Sequence, residues 1–157
     1  MENTANKNME KYYTYREQFE RLDLAIEKEF YLEAVFIAYA IMEDRTESTM
    51  KHLGIWEANL GTKRYLGISD KLKAIRRNAV TPDSPSCSYM KDATLDKCMT
   101  WINRRNDAIH DLIDKPLSHA QMRELALEGK RLARRITDCT GATKRALKKL
   151  QTAAEEK

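Results

Sequence analysis

Glycine and proline are scarce, five and three among 157 residues, and most of them gather in two stretches. A sandwich or barrel needs a turn signal every ten residues or so, and that rhythm is missing. Cysteine is equally thin. Cys87, Cys98 and Cys139 form no CxxC pair, and their odd number suits reduced thiols better than a disulfide framework or a zinc site. No run approaches the eighteen apolar residues of a membrane span. The polar start Met1-Glu2-Asn3-Thr4 does not read as a signal peptide, so a cytoplasmic location is expected. Phosphate-binding loops, dinucleotide glycine patterns, Gly-x-Ser-x-Gly and zinc-protease helix motifs are missing too. Most cofactor enzymes are thereby set aside, and neither cofactor nor metal is expected.

What the chain has is charge and helical periodicity. One third of its residues are charged, for a net +4. That balance hides an asymmetry. From Arg123 to Leu150 nine basic side chains face only Glu124, Glu128 and Asp138, so this segment carries about +6 and the rest is slightly acidic. Arg131, Arg134, Arg135 and Lys148 are its candidate nucleic-acid contacts, against the simpler reading of a solvated helix face.

Tyr12, Tyr15, Phe19, Leu22 and Ile26 step by three and four, predicting a helix over about 8–27. Leu32, Val35, Tyr39, Met42, Thr46, Thr49 and Leu53 repeat the pattern, with Phe36 and Ile41 widening the stripe and Gly54 placed to cap it. The turn between these two helices has no strong breaker. Residues 54–68 read as a loop, 70–79 as a short helix capped by Ser69, and Thr81-Pro82-Asp83-Ser84-Pro85-Ser86 as a decisive break. A third long helix is predicted near 93–114, ending before Pro116. Ser118-x-x-Gln121 is a capping box that opens a fourth, with a break expected at Thr140-Gly141. The expectation is one all-α domain over 1–157: an antiparallel four-helix bundle with a short helix in a long crossover. A basic helical extension occupies about 141–157.

The third long helix carries the most informative stretch, Arg105-Asn106-Asp107-Ala108-Ile109-His110. Leu95, Met99, Ile102, Asn106, Ile109 and Ile113 form one seam on an ideal wheel, interrupted by the Asn106 amide. Arg105 and His110 flank it, roughly 140° apart. They converge only through the length of arginine, a bend, or a second copy of the helix across a twofold interface. A cation, an amide and a group titrating near neutrality suit phosphodiester cleavage. His110 would take the proton of an RNA 2′-hydroxyl, Arg105 would neutralise the phosphoryl oxygens, and Asn106 would orient ring or phosphate. A second histidine, from a partner subunit, would protonate the leaving 5′-oxygen. The product would be a 2′,3′-cyclic phosphate, with no metal in the scheme.

Thirteen arginines and three histidines make a loose Arg–His spacing unremarkable, and Arg45 with His52 also meets it. The asparagine carries the discrimination. With it, the chain resembles the HEPN superfamily, small helical bundles with an Arg-x4–6-His motif whose second position is usually Asn, Asp or His. Arg105-Asn106-x-x-x-His110 fits late in the bundle, and the resemblance covers about residues 8–140. It implies a homodimer with a composite cleft and, often, a metal-independent ribonuclease of toxin–antitoxin, phage-defence or CRISPR-associated systems. A regulatory or antitoxin protein would then accompany it. Toxins paired with a nucleotidyltransferase carry a tyrosine two residues past the histidine. Leu112 stands there, which points to a different branch.

Two other classes compete: a non-catalytic helical module binding RNA or protein, and a purely structural dimer. His52 and His119 read as exposed helix-end residues, and Trp101 and the tyrosines as packing residues. Glu43-Asp44-Arg45 either faces Arg105 or lies in solvent, and Glu47 with Lys51 forms an i,i+4 pair.

Overall fold

The computed structural model describes residues 2–79, 84 and 90–155, with side chains from residue 9 onward. The proline-containing break, apart from Ser84, lies outside the described residues, as does Cys87. The described residues are all-α: α1 (Glu2–Glu27), α2 (Tyr31–His52), α3 (Trp56–Leu60), α4 (Ile68–Ala79), α5 (Asp92–His110) and α6 (His119–Glu155).

Helix α2 is the central element. Ala34, Val35, Ala38, Ile41, Met42 and Met50 are all buried, and α2 packs chiefly on α6, then on α1 and α4. Small side chains let α2 and α6 approach closely: Ala34 and Ala38 on one, Ala126, Gly129 and Ala133 on the other. Further along, the hydroxyls of Thr49 and Thr140 meet at 2.9 Å across the same seam. Each hydroxyl also lies within 2.9 Å of the carbonyl one turn back, so one donates to its carbonyl and the other across the seam or to its own carbonyl, and neither donor is orphaned.

The α1–α2 turn is made without glycine. Glu29 takes a left-handed φ of 60°, and the Phe30 N–H reaches the Ala25 carbonyl at 2.8 Å while the Glu29 N–H reaches Ile26 at 3.2 Å. This is a Schellman ending with a glutamate in the usual glycine position, which explains why the turn was hard to read. Gly54, at φ 69°, caps α2 by the same bond pattern, as its place in the sequence suggests.

Several expectations are corrected. The stretch 54–68 contains α3, and the crossover covers the core with Leu66, Ile68, Leu72, Ile75 and Met90. Helix α5 stops at His110 instead of Asp114, where the Asp111 N–H closes on the Asp107 carbonyl. Ile113 therefore leaves the helix and is 88% exposed. The buried stripe of α5 also turns from the expected seam: Leu95, Cys98, Trp101, Ile102 and Ala108 are buried, while Met99, Asn106 and Ile109 are only partly so. Tyr12 and Phe36, read as parts of apolar stripes, are exposed.

No break occurs at Thr140-Gly141. Helix α6 runs 37 residues without interruption, and the basic extension continues it as far as Glu155. Thr140 and Thr143 are buried and held by Ile136 and Cys139 carbonyls, so packing outweighs the poor helix propensity of glycine. At its start the capping box is reciprocal: Gln121 N–H donates to Ser118 Oγ at 3.2 Å, and Ser118 N–H to Gln121 Oε1 at 2.9 Å.

Candidate functional site

The α5 motif sits at the end of a helix fixed by a tryptophan. The Trp101 side chain is fully buried and its indole N–H donates to the Leu125 carbonyl of α6 at 2.8 Å. One turn later Arg105 is half-buried and leans towards α2. Its guanidinium lies 4.3 Å from the centre of the Tyr39 ring and 5.1 Å from that of Phe36, close enough for cation–π attraction. Nη1 donates to Asn106 Oδ1 at 3.1 Å, while the buried Nε has no hydrogen-bond partner among the described residues. His110, the last residue of α5, is exposed. The structure thus joins Arg105 to Asn106, and neither hydrogen-bonds to His110 among the described residues.

Beneath Arg105 lies a polar network that sequence reasoning missed. Burial, followed by the charge of Glu43, raises the Tyr39 hydroxyl above the usual phenol value, while Arg105 and a hydrogen bond with Tyr65 oppose this. The Tyr65 hydroxyl donates to Glu43 Oε1, and that bond, followed by burial, pushes its own titration far up. Glu43 in turn faces Lys71 at 3.6 Å, and Glu47 faces it at 3.1 Å. Lys71 is only 1% exposed, and its ammonium lies between the rings of Trp56 and Tyr65 at 5.5 and 5.6 Å.

Burial alone would raise the Glu47 carboxyl. Hydrogen bonds from Lys51 and Lys71 outweigh it, and the net shift is downward. The expected Glu47–Lys51 pair is present at 2.6 Å, yet Glu47 also spans to α4. One signal for Lys71 was available. It stands three residues after Ile68 and four before Ile75, on the apolar stripe of α4.

The Glu43-Asp44-Arg45 triplet divides around α2. Glu43 joins the network below Arg105, whereas Asp44 and Arg45 turn to α1, where Arg45 covers the Tyr15 ring at 3.8 Å. Of the other histidines, His52 Nδ1 lies 2.7 Å from the Ser48 carbonyl, and the ring of exposed His119 lies tilted against that of Tyr31, their centres 4.9 Å apart.

The basic residues of α6 do not form one patch. Arg134 pairs with Asp23 of α1 at 3.0 Å and lies over Phe19. Arg131 and Arg135 open to the other side, where with Lys97 of α5 they line one cleft beside Glu128. Lys148 lies farther on, next to Arg145 and Lys149.

Among the described residues no three His, Cys, Asp or Glu side chains are grouped to hold a metal ion, and no helix is long and apolar enough to cross a membrane. No family model, curated protein or solved structure matches this chain.

Proposed function

We propose that this chain is a metal-independent endoribonuclease of the HEPN type, with Arg105, Asn106 and His110 as its catalytic set. The observation that carries the reading is the 3.1 Å bond from Arg105 Nη1 to Asn106 Oδ1. It ties the cation of the motif to its amide, and His110 is exposed one turn beyond Asn106.

The chemistry follows from the side chains. A neutral imidazole of His110 accepts the 2′-hydroxyl proton as that oxygen attacks the adjacent phosphorus. Negative charge accumulating on the phosphoryl oxygens is met by the guanidinium, planar and always charged, whose stacking on Tyr39 and Phe36 restricts its motion. The bond to the 5′-oxygen breaks, a second protonated histidine supplies its proton, and a 2′,3′-cyclic phosphate remains. That histidine is His110 of the other protomer in a twofold dimer. Exposed Phe36 and Ile113, beside the motif, supply apolar surface for such a pairing. The partners in this reading are RNA, a second copy, and an antitoxin or regulatory protein of a cytoplasmic defence or toxin–antitoxin system.

The test is RNA cleavage in EDTA by wild type and by His110→Ala. Chelator-resistant cleavage that yields cyclic phosphate and vanishes in the variant supports the reading. Cleavage lost on adding EDTA, or retained in His110→Ala, overturns it. The cleft of Lys97, Arg131 and Arg135 favours a second reading, a non-catalytic RNA-binding module. Salt-sensitive RNA binding without cleavage by well-folded protein would select it.

A further inference from the structure

We propose that the cleft between α1, α2 and α6 is a binding site for a terminal phosphate monoester, held by Lys11, Arg45 and Lys144. The cleft has a volume of about 400 Å³, and these three cations line it together with Tyr12, Tyr15 and Thr137. Each comes from a different helix, so the cluster exists only in the folded chain. It shares no residue with Arg105, Asn106 and His110, and the proposal does not rest on the ribonuclease reading.

The charges around the cleft do not balance. Arg45 is the buried anchor, its side chain 9% exposed, with Nη2 and Nε both donating to Asp44 Oδ2 at 2.6 and 3.2 Å. Lys11 donates to the other oxygen of the same carboxylate at 3.2 Å. Among the described residues Asp44 is also the one carboxylate acting on half-buried Lys144. Arg16, on the rim, is neutralised by Glu20 at 2.9 Å. Three cations therefore share one carboxylate, a surplus of two positive charges at a partly dehydrated place.

Such a cluster is unfavourable by itself, because like charges repel more strongly where water is thinned. The repulsion registers on Lys144, whose titration is lowered by burial first and then by Arg45 and Lys11. A bound dianion would offset the repulsion from Arg45 and Lys11, and its attraction would oppose the effect of burial. It would also find donors: each ammonium has three N–H bonds, and Arg45 retains N–H groups beyond the two given to Asp44. The buried Tyr15 hydroxyl, on the wall of the cleft, has no hydrogen-bond partner among the described residues.

Charge and shape together narrow the ligand. Two surplus charges match a monoester dianion, whereas a phosphodiester carries one negative charge. The rings of Tyr12, Tyr15 and Phe19 give the rest of the wall an aromatic character suited to an organic body. The phosphate belongs either to a small phosphoester or to the 5′-phosphate end of a nucleic acid.

Calorimetric titration at fixed ionic strength tests the site, with phenyl phosphate as the probe and diphenyl phosphate and phenol as controls. Phenyl phosphate is expected to bind at least about tenfold tighter than either control. Lys144→Gln and Lys11→Gln should each weaken it about tenfold, while Lys144→Arg retains binding and His110→Ala leaves it unchanged. Equal binding of diphenyl phosphate overturns the proposal, as does unaltered binding in the glutamine variants or no binding of phenyl phosphate at all. Should Lys144→Gln fail to fold, the more exposed Lys11→Gln decides. A 5′-phosphorylated oligonucleotide that binds tighter than phenyl phosphate, against its 5′-hydroxyl counterpart, identifies a nucleic-acid end. Tighter binding of phenyl phosphate identifies a small phosphoester.

Discussion

Gly129 of α6 lies directly beneath the indole of Trp101, so close that a Cβ there would stand 2.5 Å from Cζ2 and 3.2 Å from Ala38 Cβ. Three helices converge at this point, and the contact fixes α5 one turn before the Arg105 motif. Gly129→Ala should destabilise the fold by about 1–3 kcal/mol through overpacking, read as a lower urea midpoint. Gly141→Ala is its control. There a Cβ meets only the mobile end of Arg145 at 3.4 Å, and the substitution should stabilise by about 0.5–1 kcal/mol.

The glutamate at the α1–α2 turn offers a second stability test. Glu29 adopts φ 60°, where an L side chain crowds the backbone, and its 3.7 Å pairing with His119 is exposed on both sides. Glu29→Gly should raise stability by up to about 1 kcal/mol, measured by thermal or urea unfolding. A loss of stability would mean that the His119 contact contributes more than the strain costs.

The Glu43–Lys71–Glu47 cluster predicts a pH dependence. The Glu47 carboxyl titrates below its usual range, because hydrogen bonds from Lys51 and Lys71 outweigh burial. Its stabilising contribution is therefore complete above the unfolded value of about 4.3 and is lost as pH falls through the lower folded value. Asp44, also lowered against burial by Arg45 and Lys11, acts in the same direction. Melting temperature should drop between about pH 5 and pH 3, and Glu47→Gln should melt lower at neutral pH but show a shallower acid drop. Lys71→Met should cost about 2–3 kcal/mol, since partly buried Glu43 would lose its cation and Glu47 would keep only Lys51.

The basic face of α6 should divide functionally as it divides spatially. Arg131→Ala combined with Arg135→Ala removes two cations that share a cleft with Lys97. RNA affinity should fall, and the slope of log affinity against log salt should flatten by up to about two. Arg134→Ala, whose guanidinium is tied to Asp23 alongside Lys130 and lies outside that cleft, should change the slope less in an electrophoretic or anisotropy titration.

Much of the fold was legible because it rests on local rules. Apolar spacing by three and four marked the long helices, Gly54 marked the end of α2, and Ser118 with Gln121 marked the start of α6. Where the reading failed, a contact distant in sequence had overridden a local preference. Thr140 and Thr143 bury against the core and carry α6 through Gly141. The Arg105-Asn106-His110 motif is contiguous, so its spacing could be read directly. Its orientation could not, because Trp101 and Gly129 set the rotation of α5, and Tyr39, 66 residues earlier, sets the lean of Arg105. Which carboxylates clasp Lys71, and the meeting of Lys11, Arg45 and Lys144, are decided by packing. Their charges lie on separate helices, and no periodicity along one helix records which side chains meet across three.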